Sequence, residues 1–149
     1  MKLCLEFARP QDIPRLTELL GELFRQEKDF RPDPKKQSAG LRMILRDTKS
    51  GRLFVARSGG KVVGMVSLLF SISTAEGGPV AWLEDFVVDP AWRGKGIGAQ
   101  LLRHVIAYAR KQKLKRITLL TDWNNLNAVR IYQRESFCPS KMIPLRLKM

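Results

Sequence analysis

Residues 92–102 read WRGKGIGAQLL: three glycines, Gly94, Gly96 and Gly98, lead directly into an apolar stripe at helical spacing, Leu101, Leu102, Val105, Ile106 and Ala109. Immediately upstream, residues 80–88 form a β-type run that Asp89-Pro90 closes. A strand, a glycine-rich turn and an amphipathic helix in succession leave few architectures open, because the helix must bury its stripe against the sheet that holds the strand. Three glycines also exceed what a helix cap requires. Small residues here bare backbone N–H groups at a helix start, where those donors and the positive helix end favour a phosphate.

The rest of the chain supplies the sheet and its cover. Residues 3–8 alternate as a strand, and Arg9-Pro10-Gln11-Asp12 breaks it. Ile13, Leu16, Leu19, Leu20, Leu23 and Phe24 then recur at helical spacing, with Asp12 as N-cap. Residues 31–36, with two prolines, read as a loop and residues 41–45 as a short second helix. Residues 52–57 and 61–70 read as strands joined by the turn Ser58-Gly59-Gly60, and residues 75–79 turn again. Residues 117–121 form a buried strand, and residues 125–134 a helix with Ala128, Ile131 and Tyr132 on one side. Residues 142–147 close as a last strand, because Ile143, Leu145 and Leu147 alternate. The order β-α-α-β-β-β-α-β-α-β predicts an α/β (α+β) fold, a mixed sheet covered by helices, in one domain over residues 1–149.

Three phosphate loops fit the glycine stretch to different degrees. A P-loop fails, because Gly94-Lys95 is followed by Gly96 rather than by a magnesium-binding hydroxyl. Gly94-Lys95-Gly96-Ile97-Gly98-Ala99 literally satisfies a dinucleotide fingerprint, with Asp122 at the end of the next strand. Its first glycine, however, does not come straight off the strand, and three strands and two helices precede the strand that leads in. The third reading keeps Arg93 in the motif, Arg-x-x-Gly-x-Gly, with Arg93 and Lys95 adding charge for a diphosphate.

In this last form, LEDFVVDPAWRGKGIGAQLL resembles the GNAT superfamily of N-acetyltransferases. TDWNNLNAVRIYQRESF resembles that family's Asn-x-x-Ala-x-x-x-Tyr helix, present as Asn125 through Ala128 to Tyr132, and ARPQD is similar to its common opening. The resemblance implies a mostly antiparallel sheet splayed between its fourth and fifth strands, flanked by about four helices, with acetyl-CoA in the gap. By position it implies that Phe86, Val87 and Val88 pair with the pantetheine arm. Arg93, Gly94, Lys95, Gly96, Ile97, Gly98 and Ala99 would cradle the diphosphate, Asn125 would bond the arm, and Tyr132 would lie near the thioester sulfur. Relatives of this kind are often dimers, so a homodimer is the implied assembly. Leu83-Glu84-Asp85-Phe86 and Trp123-Asn124 are similar to the diamine and spermidine acetyltransferase branch. Arg134-Glu135-Ser136-Phe137 departs from the family's Arg-x-Gly-Phe, and serine tolerates a positive φ poorly.

The residue types fit acyl transfer to an amine. An alkyl ammonium has a pKa of about 10 and must lose a proton before it attacks. Glu84 is the candidate base, directly or through water, and Tyr132 the donor to the leaving thiolate. A strand N–H, assigned to Val87, would steady the thioester carbonyl. Alternation puts Glu84 and Asp85 on opposite faces, so at most one enters the cleft, and a bulge would swap them. Trp82 is the best of the three tryptophans for a substrate wall. Each residue also has a structural reading: Tyr132 as core packing, Asn125 as a helix cap, Trp82 as a packing group.

Composition bears on the partners. The formal charge of +13 favours polyanions and leaves a basic nucleic-acid- or ribosome-associated binding module, or a CoA-binding regulator without turnover, as competing functions on the same fold. Weak electrostatic binding to nucleic acid is the partner consistent with that charge. It argues against a polycationic acceptor, so the branch resemblance speaks to ancestry, and the acceptor is expected to be a small-molecule or peptide amine. Two cysteines and one histidine give no metal-ligand spacing. No run of about 18 apolar residues is present and MKLCLEFARPQD does not read as a signal or transit peptide, so no membrane contact and a reducing cytoplasm are expected.

Overall fold

Residues 2–149 are described by the computed structural model. Strand β1 (Leu3–Phe7) pairs antiparallel with β2 (Gly51–Ser58). A two-glycine turn, with Gly59 and Gly60 both at positive φ, returns the chain into β3 (Lys61–Ser73). Only residues without a Cβ adopt that turn at no steric cost, and its twist matches the strands. Strand β4 (Gly78–Val88) pairs antiparallel with β3. Helix α3 (Ile97–Lys111) then crosses over, and β5 (Ile117–Leu119) lies parallel to β4, giving the sheet order β1-β2-β3-β4-β5. A parallel neighbour requires such a crossover, and the glycine turn starts it.

Each face of the sheet carries one core. Helices α1 (Ile13–Gln26) and α2 (Pro34–Arg46) cover the first with Ile13, Leu16, Leu19, Leu20 and Leu41 against Leu53, Val55, Met65 and Val87. Helices α3 and α4 (Leu126–Arg134) cover the second with Ile97, Leu101, Leu102, Val105 and Tyr132 against Phe54, Val66, Leu68 and Leu83. His104 is half-buried, its ring edge-on to Phe54 at 5.9 Å.

Several bounds differ from the sequence reading. Helix α2 begins at Pro34, inside the expected loop, because Asp33 accepts the Lys36 N–H and proline suits a first helical turn. The expected closing strand at residues 142–147 is not a strand. Met142, Ile143, Leu145 and Leu147 are exposed, and the segment is tied by Arg146 to Asp29 at 2.8 Å and to the ring of Phe30. Alternation alone does not make a strand: β5 offers an edge of three residues, and Pro144 brings no backbone donor to a ladder.

After α4 the chain turns through Ser136, at φ 71°, with Ser136 N–H on Gln133 O and Phe137 N–H on Tyr132 O. The turn that glycine usually makes is therefore kept, with serine held in the left-handed region. Ser136→Gly is expected to stabilise the protein by about 1 kcal/mol, raising Tm by roughly 2–4 °C in calorimetry. An unchanged or lower Tm would show that the serine side chain offsets its backbone strain.

Candidate functional site

Strands β4 and β5 pair only at Ala81–Ile117, Trp82–Thr118 and Leu83–Leu119. Beyond Leu83, β4 runs on to Val88 while β5 ends, so the sheet splays open between its fourth and fifth strands. A cavity of about 200 Å³ lies at the split, between the end of α1, the middle of β4 and the start of α4.

A β-bulge shapes this cavity. Met65 opposes Val87 and Ser67 opposes Glu84, so Asp85 and Phe86 together face Val66. Asp85 takes φ 53°, a left-handed conformation that a non-glycine residue adopts at a cost of about 1–3 kcal/mol. The bulge resets the strand's alternation: Leu83 and Phe86 both pack toward α3, whereas Val87 joins the α1 side. Glu84 and Asp85 therefore both line the cavity, which overturns the expectation that at most one enters. Burial first, and then the charge of Glu84, push the Asp85 carboxyl up to about 6. Trp82, the expected substrate wall, is 39% exposed and lies outside the cavity lining.

The β4 backbone past the bulge has one free edge. Asp89 N–H bonds Val63 O at 2.8 Å, and by alternation the Val87 amide shares that β3-facing side. Val88 faces the gap, where its carbonyl accepts Arg93 Nε at 3.0 Å. The junction is held from the α1 side by Arg15, which donates to the Asp89 carboxylate and, at 3.0 Å, to Val62 O. Burial raises the Asp89 carboxyl, but the Ala91 N–H and Arg15 outweigh it and hold it below the usual carboxylate range.

Three glycines serve two purposes here. Gly94 and Gly96 stand at φ 75° and 74° with nothing closer than 4.0 Å to an added Cβ, so backbone conformation selects them. Gly98 is selected by contact, since a Cβ would meet Phe86 at 3.3 Å. No backbone N–H of Gly94, Lys95, Gly96, Ile97, Gly98 or Ala99 has an acceptor among the described residues. The Lys95 ammonium sits 4.7 Å over the Trp92 ring. The loop is thus an open row of donors at the N-terminus of a 15-residue helix.

Helix α4 brings Tyr132 to the cavity. Its ring lies 5.8 Å from both Phe86 and Phe137, and Arg103 of α3 holds the helix end through Glu135 at 2.7 Å. Tyr132 is 8% exposed, yet its hydroxyl makes no hydrogen bond among the described residues. Burial, with a contribution from Glu27, holds its phenol well above the ordinary range, so it keeps its proton at neutral pH. Asn125 lines the cavity and also caps α4, accepting Ala128 N–H at 3.4 Å.

Glu27, just past α1, is a cavity residue that sequence reasoning missed. The signal was present: Leu16, Leu20, Leu23 and Glu27 follow one helical stripe, so a carboxylate continues an apolar face. Burial first, then the charges of Asp85, Asp122 and Asp29, push its carboxyl up to about 7, with Arg146 opposing. The folded protein therefore holds a proton that the unfolded chain releases between about pH 4.5 and about pH 7, and stability falls as pH rises through that window. Glu27→Gln removes the titration. Its gain in Tm over the parent is expected to be small at about pH 5 and larger at about pH 8, and a constant difference would place the proton elsewhere.

The chain matches the Acetyltransferase (GNAT) family over residues 4–137. It is 29% identical over 139 residues to an uncharacterized N-acetyltransferase of Methanocaldococcus jannaschii, covering 93% of this chain and 62% of that protein. It is 42% identical over 57 residues to the spermine/spermidine N(1)-acetyltransferase of Bacillus subtilis, 38% of each chain. The aminoalkylphosphonate N-acetyltransferase of Salmonella typhimurium is 30% identical over 138 residues, covering 92% of this chain and 86% of that one. The chain thus spans less than two thirds of the length of the first two relatives. A protein of Clostridium acetobutylicum described as an acetyltransferase, solved with acetyl-CoA, superposes with a TM-score of 0.79 at 14% identity, over 97% of this chain and 96% of that one.

Proposed function

Because the chain belongs to the Acetyltransferase (GNAT) family, we propose that it transfers the acetyl group of acetyl-CoA to a primary amine by direct attack. One observation carries this reading: the acceptor-less N–H row from Gly94 to Ala99 opens beside the split between β4 and β5, with the unpartnered Tyr132 hydroxyl at the cavity beyond it. The donor set fits a diphosphate, since it combines backbone amides, a helix N-terminus, Arg93 and Lys95, with no acidic side chain in the first turn. The gap-facing backbone of Val88, whose carbonyl already accepts Arg93 Nε, keeps its N–H for an extended amide-bearing arm, and Asn125, which lines the cavity, is the side chain that would bond it. A neighbouring fold solved with acetyl-CoA supports the choice of donor.

Acetyl-CoA supplies an activated acetyl group, whose carbonyl carbon bonds to the amine nitrogen as its bond to sulfur breaks. The protein's residues handle the protons. Glu84, with Asp85 beside it, takes the proton of the incoming ammonium at a carboxylate oxygen, directly or through one water. At neutral pH only about one amine in a thousand is unprotonated, so a local base raises the reactive fraction. Tyr132 Oη supplies a proton to the departing thiolate, its ring held in place between Phe86 and Phe137.

Calorimetry with acetyl-CoA and, separately, NADH tests the reading. Heat with acetyl-CoA and thiol release in an amine screen are the expected results. Uptake of NADH with no heat from acetyl-CoA would return the glycine loop to the dinucleotide reading.

A further inference from the structure

The cavity's charge runs against the charge of the chain. Fourteen acidic side chains face twenty-seven basic ones, so nearly every carboxylate has cations to choose from. Nine acids form ion pairs among the described residues. Of those that form no ion pair, Asp47 sits in a surface turn, where it bonds Ser50 and Lys49 N–H. The others are Glu27, Glu84, Asp85 and Asp122, and all four line the one cavity. They come from the end of α1, the bulge of β4 and the segment after β5, so tertiary folding alone gathers them. They are not grouped closely enough to hold a metal ion. The Tyr132 side chain, 8% exposed and with no hydrogen-bond partner for its hydroxyl among the described residues, lines the same space.

Resting on the transferase reading above, we propose that the acceptor is a slender amine carrying a second positive charge, with its reacting nitrogen at Glu84 and Tyr132 and its remaining ammonium against Glu27 and Asp122. Spread carboxylates suit an extended cation where a point ion finds no cage. The formal charge of +13 does not oppose this. Exposed charges farther away than the Debye length of about 8 Å are screened at physiological salt, whereas carboxylates in direct contact with the ligand, Glu27 and Asp85 half-buried among them, are screened much less. The cavity also separates two acceptor classes found among relatives, a polyamine and an aminoalkylphosphonate. A phosphonate would place its negative charge among four carboxylates and be repelled.

The test compares spermidine, n-butylamine and aminoethylphosphonate as acceptors, by thiol release, and measures spermidine binding to the acetyl-CoA-free protein by calorimetry. A kcat/KM for spermidine at least roughly tenfold above that for butylamine is expected. In Glu27→Gln and Asp122→Asn that ratio is expected to collapse, chiefly through KM, and spermidine heat to weaken. Equal values for spermidine and butylamine, preference for the phosphonate, or a ratio untouched by both variants would overturn the inference and leave acetyl transfer standing. No thiol from any amine, with no heat from acetyl-CoA, would instead remove the transferase reading on which it rests.

Discussion

Gly96→Glu is expected to give a folded protein that has lost acetyl-CoA. Gly96 is the left-handed N-cap of α3, and an added Cβ there meets open space, so the substitution disturbs packing little. It nevertheless puts a carboxylate among the acceptor-less amides that would receive the diphosphate. Like charge at a helix N-terminus replaces attraction with repulsion, and Kd is expected to weaken on the order of a hundredfold or more. Backbone strain needs its own control. Gly77, at φ 70° in the turn between β3 and β4, is equally unencumbered. Gly77→Glu bears the same left-handed strain far from the loop and should bind acetyl-CoA normally. If both variants bind within about threefold of the parent, the glycine loop does not hold the donor.

Tyr132→Phe is expected to lower kcat on the order of a hundredfold or more while acetyl-CoA affinity changes little. The ring keeps its contacts with Phe86 and Phe137, and the lost hydroxyl has no hydrogen-bond partner to orphan. The hydroxyl opens into the cavity and makes no hydrogen bond among the described residues, so Tm should change little. A large loss of rate at nearly constant stability is a signature that a packing role would not give. Equal losses in kcat and in acetyl-CoA affinity would mean that the hydroxyl chiefly holds the donor.

The glycine loop was legible in sequence because each of its constraints is local. Positive φ at Gly94 and Gly96 and a helix stripe within five residues are properties of adjacent positions. So were Asn125 as a cap and Tyr132 at the helical spacing of Ala128. The carboxylates were harder. Period-two alternation predicts at most one of Glu84 and Asp85 in the cleft, but the extra residue of a bulge depends on what β3 offers opposite it, and no pattern within β4 announces that. The tail misled in the other direction. Ile143, Leu145 and Leu147 alternate as a strand should, yet a strand exists only where another backbone accepts its hydrogen bonds.

Charge shows the same division most clearly. Composition yields a net sum and predicts a protein that repels polycations. The sum carries no position, and interactions at the cavity depend on which few groups lie within a Debye length with little water between them. What the amino-acid order determined is the run of elements, the phosphate-seeking loop and the tyrosine helix, since these follow from torsion preferences and hydrophobic period over short spans. What only the tertiary structure decided is the acidic cavity, because Glu27, Glu84, Asp85 and Asp122 belong to segments that come together only once α1 and the split sheet have packed.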